Sequence, residues 1–253
     1  MMSAGTRFRR LTSETRPAAR LFCFPYAGGG ANVFSGWSRW MPSGIELVAA
    51  TYPGRESRAG EPALHCLAGV VEDLGRAIRD HLDLPYVFFG HSMGALVAYE
   101  LARRLGEQRL PEHVFVSGAR APHCPRPEEL HALPPPDFLR RLIRLGGFPP
   151  EALAEPELIA YALPILRADF RACETHVPDL GTCVRFPLTA MGGLDDPRVE
   201  AGHVEAWRAV SSVGFASRMY SGGHFFLRDH GMDVAAQVLA PLSGGHGREA
   251  LRA

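Results

Sequence analysis

The segment Gly90-His91-Ser92-Met93-Gly94 sets a serine between two glycines, each two residues away. An apolar run, Tyr86-Val87-Phe88-Phe89, leads directly into it, and Ala95-Leu96-Val97-Ala98-Tyr99-Glu100-Leu101-Ala102 follows with helical character. Strand, sharp turn, helix is the context in which a serine hydroxyl is presented as a nucleophile, and flanking glycines are needed where a side chain would strike neighbouring backbone. A serine hydroxyl attacks poorly until a base removes its proton. Of the eleven histidines, His224 stands out. It lies on the glycine-rich turn Ser221-Gly222-Gly223 just past the apolar run Phe215–Tyr220. His91 adjoins the nucleophile, but its side chain is expected to point elsewhere; His65, His81, His113, His123, His131, His176, His203, His230 and His246 read as surface or packing residues.

A histidine base needs a carboxylate that fixes its tautomer and stabilises the imidazolium, lying between serine and histidine in chain order. The run Phe186–Met191 ends in Gly192-Gly193-Leu194-Asp195-Asp196-Pro197, which offers two. Asp196 is preferred, because Gly193-x-x-Asp196-Pro197 sets it at the tip of a turn that proline can close. Asp195 is the alternative, or a cap for the helix that follows. The oxyanion of a tetrahedral intermediate needs two preorganised N–H donors. Met93, next after the serine, supplies one, and Ala27 in the loop Pro25-Tyr26-Ala27-Gly28-Gly29-Gly30 supplies the other. That loop lacks both G-x-G-x-x-G spacing and a Walker-type lysine, which argues against a phosphate cradle.

These groups must be positioned by a scaffold, and the chain supplies one pattern throughout. Apolar strand-like runs recur at Arg20–Phe24, Ile45–Tyr52, Tyr86–Phe89, His113–Ser117, Phe186–Met191 and Phe215–Tyr220, and most are separated by helical periodicity at Leu64–Leu82, Gly94–Leu105, Ala201–Ser211 and Asp229–Leu242. Such alternation predicts an α/β fold: a mostly parallel sheet with helices on both faces and ligands at the carboxyl ends of the strands. Between Ser117 and Phe186 the rhythm breaks. Pro122, Pro125, Pro127 and Pro134-Pro135-Pro136 introduce helix-like pieces at Pro136–Leu145, Pro150–Ala154 and Pro156–Arg171, the last with Leu158, Ile159, Ala162, Ile165 and Leu166 at helical spacing. Insertions this long tend to be functional, and residues 122–183 are expected to form a helical lid.

The expected organisation is a flexible arginine-rich leader over residues 1–19, one hydrolase domain over 20–242, and a flexible tail over 243–253. Lys plus Arg and Asp plus Glu each total 27, so there is no global basic surface for nucleic acid. No apolar stretch is long enough for a membrane helix or a secretory signal. Cys23, Cys66, Cys124, Cys173 and Cys183 are odd in number and never spaced C-x-x-C, which fits neither a disulfide framework nor a zinc site and points to the cytoplasm. No metal is expected, and a monomer is the default.

Phe24-Pro25-Tyr26-Ala27-Gly28-Gly29, Tyr52-Pro53-Gly54-Arg55-Glu56, Gly90-His91-Ser92-Met93-Gly94-Ala95, Asp196-Pro197 and Gly222-Gly223-His224-Phe225-Phe226-Leu227 together resemble the type II thioesterases, stand-alone editing enzymes of polyketide synthases and nonribosomal peptide synthetases within the α/β-hydrolase superfamily. The likeness spans roughly residues 20 to 242. It implies a triad of Ser92, Asp196 and His224 with oxyanion donors on Ala27 and Met93, a helical lid, no cofactor of its own, and hydrolysis of stalled acyl groups from the phosphopantetheine thiol of a carrier protein. A polyketide pathway is favoured over a peptide one, with a carboxylesterase, lipase or acyltransferase on oxygen esters as the alternative. Carrier proteins are acidic, so Arg55, Arg58, Arg140, Arg141 and Arg144 are candidates for a docking patch.

Overall fold

The computed structural model describes residues 5–106, 109–125, 128–147, 155–179, 181 and 183–243. Seven strands form one sheet: β1 (Phe8–Arg10), β2 (Ala19–Phe24), β3 (Ile45–Ala50), β4 (Tyr86–His91), β5 (His113–Ser117), β6 (Leu188–Gly193) and β7 (Phe215–Tyr220), in the spatial order β1-β3-β2-β4-β5-β6-β7. All neighbours pair parallel except β1, which runs antiparallel to β3. Every residue of β2, β3, β4 and β6 is buried, as their near-continuous apolar runs require when helices cover both faces. One face packs under α1 (Leu67–Ile78) and α2 (Met93–Arg104), with Tyr99 and Trp207 edge to face at 5.1 Å. The other packs under the 3₁₀ helix Ala31–Trp40 and α6 (Leu227–Ser243).

Strand order reverses at β2, which has β3 on one side and β4 on the other. The loops leaving β2 and β4 therefore diverge over a crevice at the carboxyl edge of the sheet, where such folds bind ligands. Between β5 and β6 lie α3 (Pro135–Arg144) and α4 (Pro156–Glu174), where helix-like pieces at Pro136–Leu145 and Pro156–Arg171 are expected; the expected piece Pro150–Ala154 lies outside the described residues. Leu130, Phe138, Leu142 and Leu166 give this insertion a small core of its own. The expected helix Ala201–Ser211 is a short α5 (Ala201–Glu205) continued by a 3₁₀ turn to Val210.

The leader needs correction. Within the expected leader the described residues 5–19 are not simply a loose segment, because Phe8–Arg10 is a strand in register with Val48–Ala50. Phe8 is buried against Phe22, with ring centroids 5.7 Å apart, and Arg7 Nε donates to Asp73 at 2.8 Å. Three residues with one inward side chain are too short to register as a period of two. Of the expected tail only Ser243 is described, and it ends α6.

Candidate active site

Ser92 occupies the turn between β4 and α2 with φ 55° and ψ −116°, a left-handed conformation that side chains rarely adopt. Its amide N–H donates to Ser117 O at 2.7 Å, which ties the turn to the end of β5. The flanking glycines are steric necessities. A Cβ on Gly90 would strike the carbonyl of Gly94, and one on Gly94 would strike the carbonyl of Phe24, at the end of β2. Strain of this kind, on the order of 1–3 kcal/mol, persists only where the surroundings enforce it.

The loops after β6 and β7 are laced together, Leu194 N–H donating to Tyr220 O at 2.8 Å and Asp195 N–H to Gly222 O at 2.9 Å. Gly222 takes φ +100°, and a Cβ on Gly193 would collide with the carbonyls of Gly222 and Gly223. This close approach brings Asp196 and His224 together. His224 Nδ1–H donates to Asp196 Oδ2 at 2.7 Å, and Ser92 Oγ–H donates to His224 Nε2 at 3.0 Å, in the tautomer that satisfies both contacts. Asp196 Oδ1 accepts the N–H groups of Arg198 at 2.8 Å and Val199 at 3.2 Å. Burial alone would raise the Asp196 carboxyl, but the hydrogen bond and charge of His224 and the two backbone N–H groups outweigh it and hold the carboxyl below its usual range. Asp195 is exposed and uses its backbone, not its side chain, in this turn.

His91 is fully buried, with its ring centroid 5.2 Å from that of His224. Its Nδ1 meets Ser117 Oγ at 2.9 Å. Burial, followed by the charge of His224, pushes His91 well below the ordinary imidazole range, so it packs beside His224 as a neutral ring.

Ala27 and Met93 bracket Ser92 from the β2 loop and the first turn of α2. Neither amide donates to another backbone carbonyl among the described loops and turns. A cavity beside Ser92 is walled by Leu96, Ala119, Phe170 and Cys173 and reaches Glu174 and Arg198. A second arm, from the same Ser92, runs between Tyr26, Leu142, Phe225 and Leu166. The insertion thus contributes Leu142, Leu145, Leu166 and Phe170 to the walls of the site.

Two arginines of the expected docking patch are elsewhere. Arg55 is 5% and Arg58 1% exposed; Arg55 forms a two-pronged pair with Asp169 of α4, and Arg58 pairs with Asp73 and Glu61. Buried guanidinium groups need carboxylate partners, and these have them. Arg140, Arg141 and Arg144 are exposed on α3, where Arg140 pairs with Asp137 and Arg141 with Glu128. Asp169 is the residue that sequence reasoning missed. Its signal is its place three and four residues beyond Leu166 and Ile165, on the apolar stripe of α4, where a carboxylate requires a buried partner.

Residues 19–241 match the thioesterase domain family. The chain is 36% identical over 241 residues to thioesterase PikA5 of Streptomyces venezuelae, covering 94% of this chain and 85% of that one. It is 40% identical over 239 residues to linear gramicidin dehydrogenase LgrE of Brevibacillus parabrevis, covering 92% and 90%. The name of that relative has no counterpart in this site, whose β2 loop lacks the glycine spacing of a dinucleotide fingerprint. Among solved structures, YbtT, a type II thioesterase from the yersiniabactin NRPS/PKS pathway, superposes with TM-score 0.84 at 28% identity, over 93% of this chain and 97% of that one.

Proposed function

Because this chain belongs to the thioesterase domain family, we propose that it is a type II thioesterase that hydrolyses stalled acyl groups from the phosphopantetheine thiol of carrier proteins in a polyketide or nonribosomal peptide pathway. The observation that carries this reading is the unbroken hydrogen-bonded chain from Ser92 Oγ through His224 to Asp196, at 3.0 and 2.7 Å, opening on a covered apolar cavity.

In this mechanism His224 Nε2 takes the Ser92 hydroxyl proton as Oγ attacks the thioester carbonyl carbon. The resulting oxyanion is met by the N–H groups of Ala27 and Met93. The C–S bond then breaks, and the thiolate takes the proton from the His224 imidazolium; a thiol leaves readily because its pKa is about 8.5. Water enters and gives a proton to His224. Its oxygen adds to the acyl-serine carbonyl, and collapse returns the proton to Ser92 Oγ and releases a carboxylic acid. Asp196 keeps Nδ1 protonated and faces the imidazolium with its charge throughout.

The insertion serves as the lid, since α3 and α4 supply the apolar cover over Ser92. The exposed arginines Arg140, Arg141 and Arg144 on α3 offer an acidic carrier its docking surface. A monomer is the working form in this reading. No described helix is long and apolar enough to cross a membrane; five cysteines, odd in number and never spaced C-x-x-C, support action in the cytoplasm. The test is mass-spectrometric hydrolysis of acetyl, propionyl and longer groups loaded on holo carrier protein. The wild type is expected to release them and Ser92→Ala to leave them bound. Faster turnover of matched oxygen esters would overturn the thioesterase reading.

A further inference from the structure

Tyr52-Pro53-Gly54-Arg55 contributes nothing to the triad, yet two of its side chains reach across to the loop that carries Ala27. Tyr52 Oη–H donates to Pro25 O at 3.1 Å, and Arg55 Nη1–H donates to Gly29 O at 3.2 Å. Between these points Gly28 N–H donates to Asp169 Oδ2 at 2.7 Å, and the same carboxylate receives both prongs of Arg55, at 2.6 and 2.8 Å. Asp169 belongs to α4, the longer helix of the insertion. Tyr161 of the same helix donates to Gly54 O at 3.1 Å, and Leu166 presses on Gly28, which takes φ +78°.

The loop is therefore held at three points, Pro25, Gly28 and Gly29, and the middle one, on the residue after Ala27, comes from the insertion. An amide that must meet a developing oxyanion is effective only when preorganised, and small misplacements are costly. We propose that Asp169 and Arg55 are positioning residues for the Ala27 N–H, so that the oxyanion hole is complete only while α4 is seated. This rests on the reading of Ala27 as an oxyanion donor. An acyl carrier that displaces α4 on entry weakens the hole until the helix closes again over the bound acyl group, which ties hydrolysis to a filled, covered site.

The experiment separates the hold on Gly28 from the stability of the ion pair. Replacing a buried pair by apolar residues of similar size commonly preserves the fold, so R55M/D169L removes the charges together with the acceptor for Gly28 N–H. R55M/D169N is equally free of charge but returns an acceptor oxygen at position 169. Steady-state kinetics on a small aryl thioester, thermal unfolding, and affinity for a trifluoromethyl ketone that forms a tetrahedral adduct on Ser92 are compared. For R55M/D169L, kcat is expected to fall by about 30-fold or more with KM within about threefold, and adduct affinity to fall in parallel. R55M/D169N is expected to recover about tenfold of that loss at a similar unfolding temperature. A kcat within about threefold of wild type in R55M/D169L, or no recovery in a folded R55M/D169N, overturns the proposal. If R55M/D169L does not fold, Asp169→Glu keeps a carboxylate for Arg55 but displaces its oxygens by one methylene. It is expected to lower kcat about tenfold at constant KM, and an unchanged kcat overturns the proposal. A wild type that cleaves the aryl thioester but not acyl carrier protein would remove the carrier reading and leave the positioning role standing.

Discussion

The carboxyl edge of the sheet and the insertion that helps to wall its site are built by different means. At the edge, Ser92, Asp196 and His224 each stand within a few residues of a strand end, and parallel register delivers them to one place although Ser92 and His224 are 132 residues apart. Among the described residues of the insertion no strand supplies a register. Helix α4 is placed by side chains, chiefly Asp169 on Arg55 across 114 residues, Leu166 on Gly28, and a core of four buried apolar residues. A scaffold set by backbone pairing is stiff. One set by a few side-chain contacts can open at lower cost, as active-site covers must.

The comparison breaks most decisively if the edge does not carry the chemistry. Ser92→Ala is expected to lower kcat by about 10⁶-fold and Asp196→Asn by about 10⁴-fold, measured by single-turnover acyl release. Asp195→Asn, one residue away but exposed, is expected to stay within about twofold. A large effect at Asp195 with a small one at Asp196 would reverse the assignment.

Stiffness of the edge is tested next. Gly94→Ala drives a methyl group into the carbonyl of Phe24 at the end of β2, with backbone on both sides and no flexible side chain to yield. A loss of about 4 kcal/mol or more in urea unfolding is expected, or failure to accumulate as folded protein. A variant of near wild-type stability would mean that the turn is softer than its contacts imply.

Legibility in the sequence divides along the same line. Glycine pairs around Ser92 and the Gly-Gly-His turn report local backbone geometry, so the serine, the histidine and a preference for Asp196 over Asp195 can be read from neighbouring residues. The burial of Asp195's neighbour depends on a turn only three residues deep. Arg55 and Arg58 read as surface charge because nothing near them in sequence says otherwise; Asp169, the partner of Arg55, lies in an element that only tertiary packing brings close. For the same reason β1 stayed hidden, since its identity comes from pairing with β3 and not from its own pattern.

Softness of the insertion makes a smaller, local prediction. Phe138 of α3 is fully buried, edge to face with Phe170 at 5.5 Å and under the guanidinium of Arg167 at 4.8 Å. Phe138→Ala is expected to cost about 3 kcal/mol, and the loss should fall on the insertion. Hydrogen exchange is expected to quicken about 100-fold in α3 and α4 while amides of β4 and β5 keep their protection. Acceptance of longer acyl chains relative to acetyl should rise. Uniform acceleration across the sheet would show the two regions to be one cooperative unit.

The finest distinction concerns pH, because the sheet contains a titrating group remote from the chemistry. His113 opens β5 at the end opposite the site, stacked on Phe115 at 4.3 Å with Nε2 meeting Thr189 Oγ1 at 2.8 Å. Burial lowers it to about 4 from an ordinary value of 6.5. Between those values the unfolded chain takes up a proton that the folded chain declines. Stability is therefore complete above the unfolded value and falls as pH drops through the window, by up to about 3 kcal/mol for this group. His91, lowered for the same reason, adds to the slope in the same direction, whereas Asp196, held below its ordinary carboxyl range, titrates beneath the window. His113→Gln retains a partner for Thr189 without a charge to gain. Urea unfolding from pH 6.5 to 4.5 should then show a slope shallower by about one proton, with kcat at pH 7.5 unchanged. An unchanged slope would remove His113 from the account of acid stability; a changed kcat would show that the amino end of the sheet reaches the site after all.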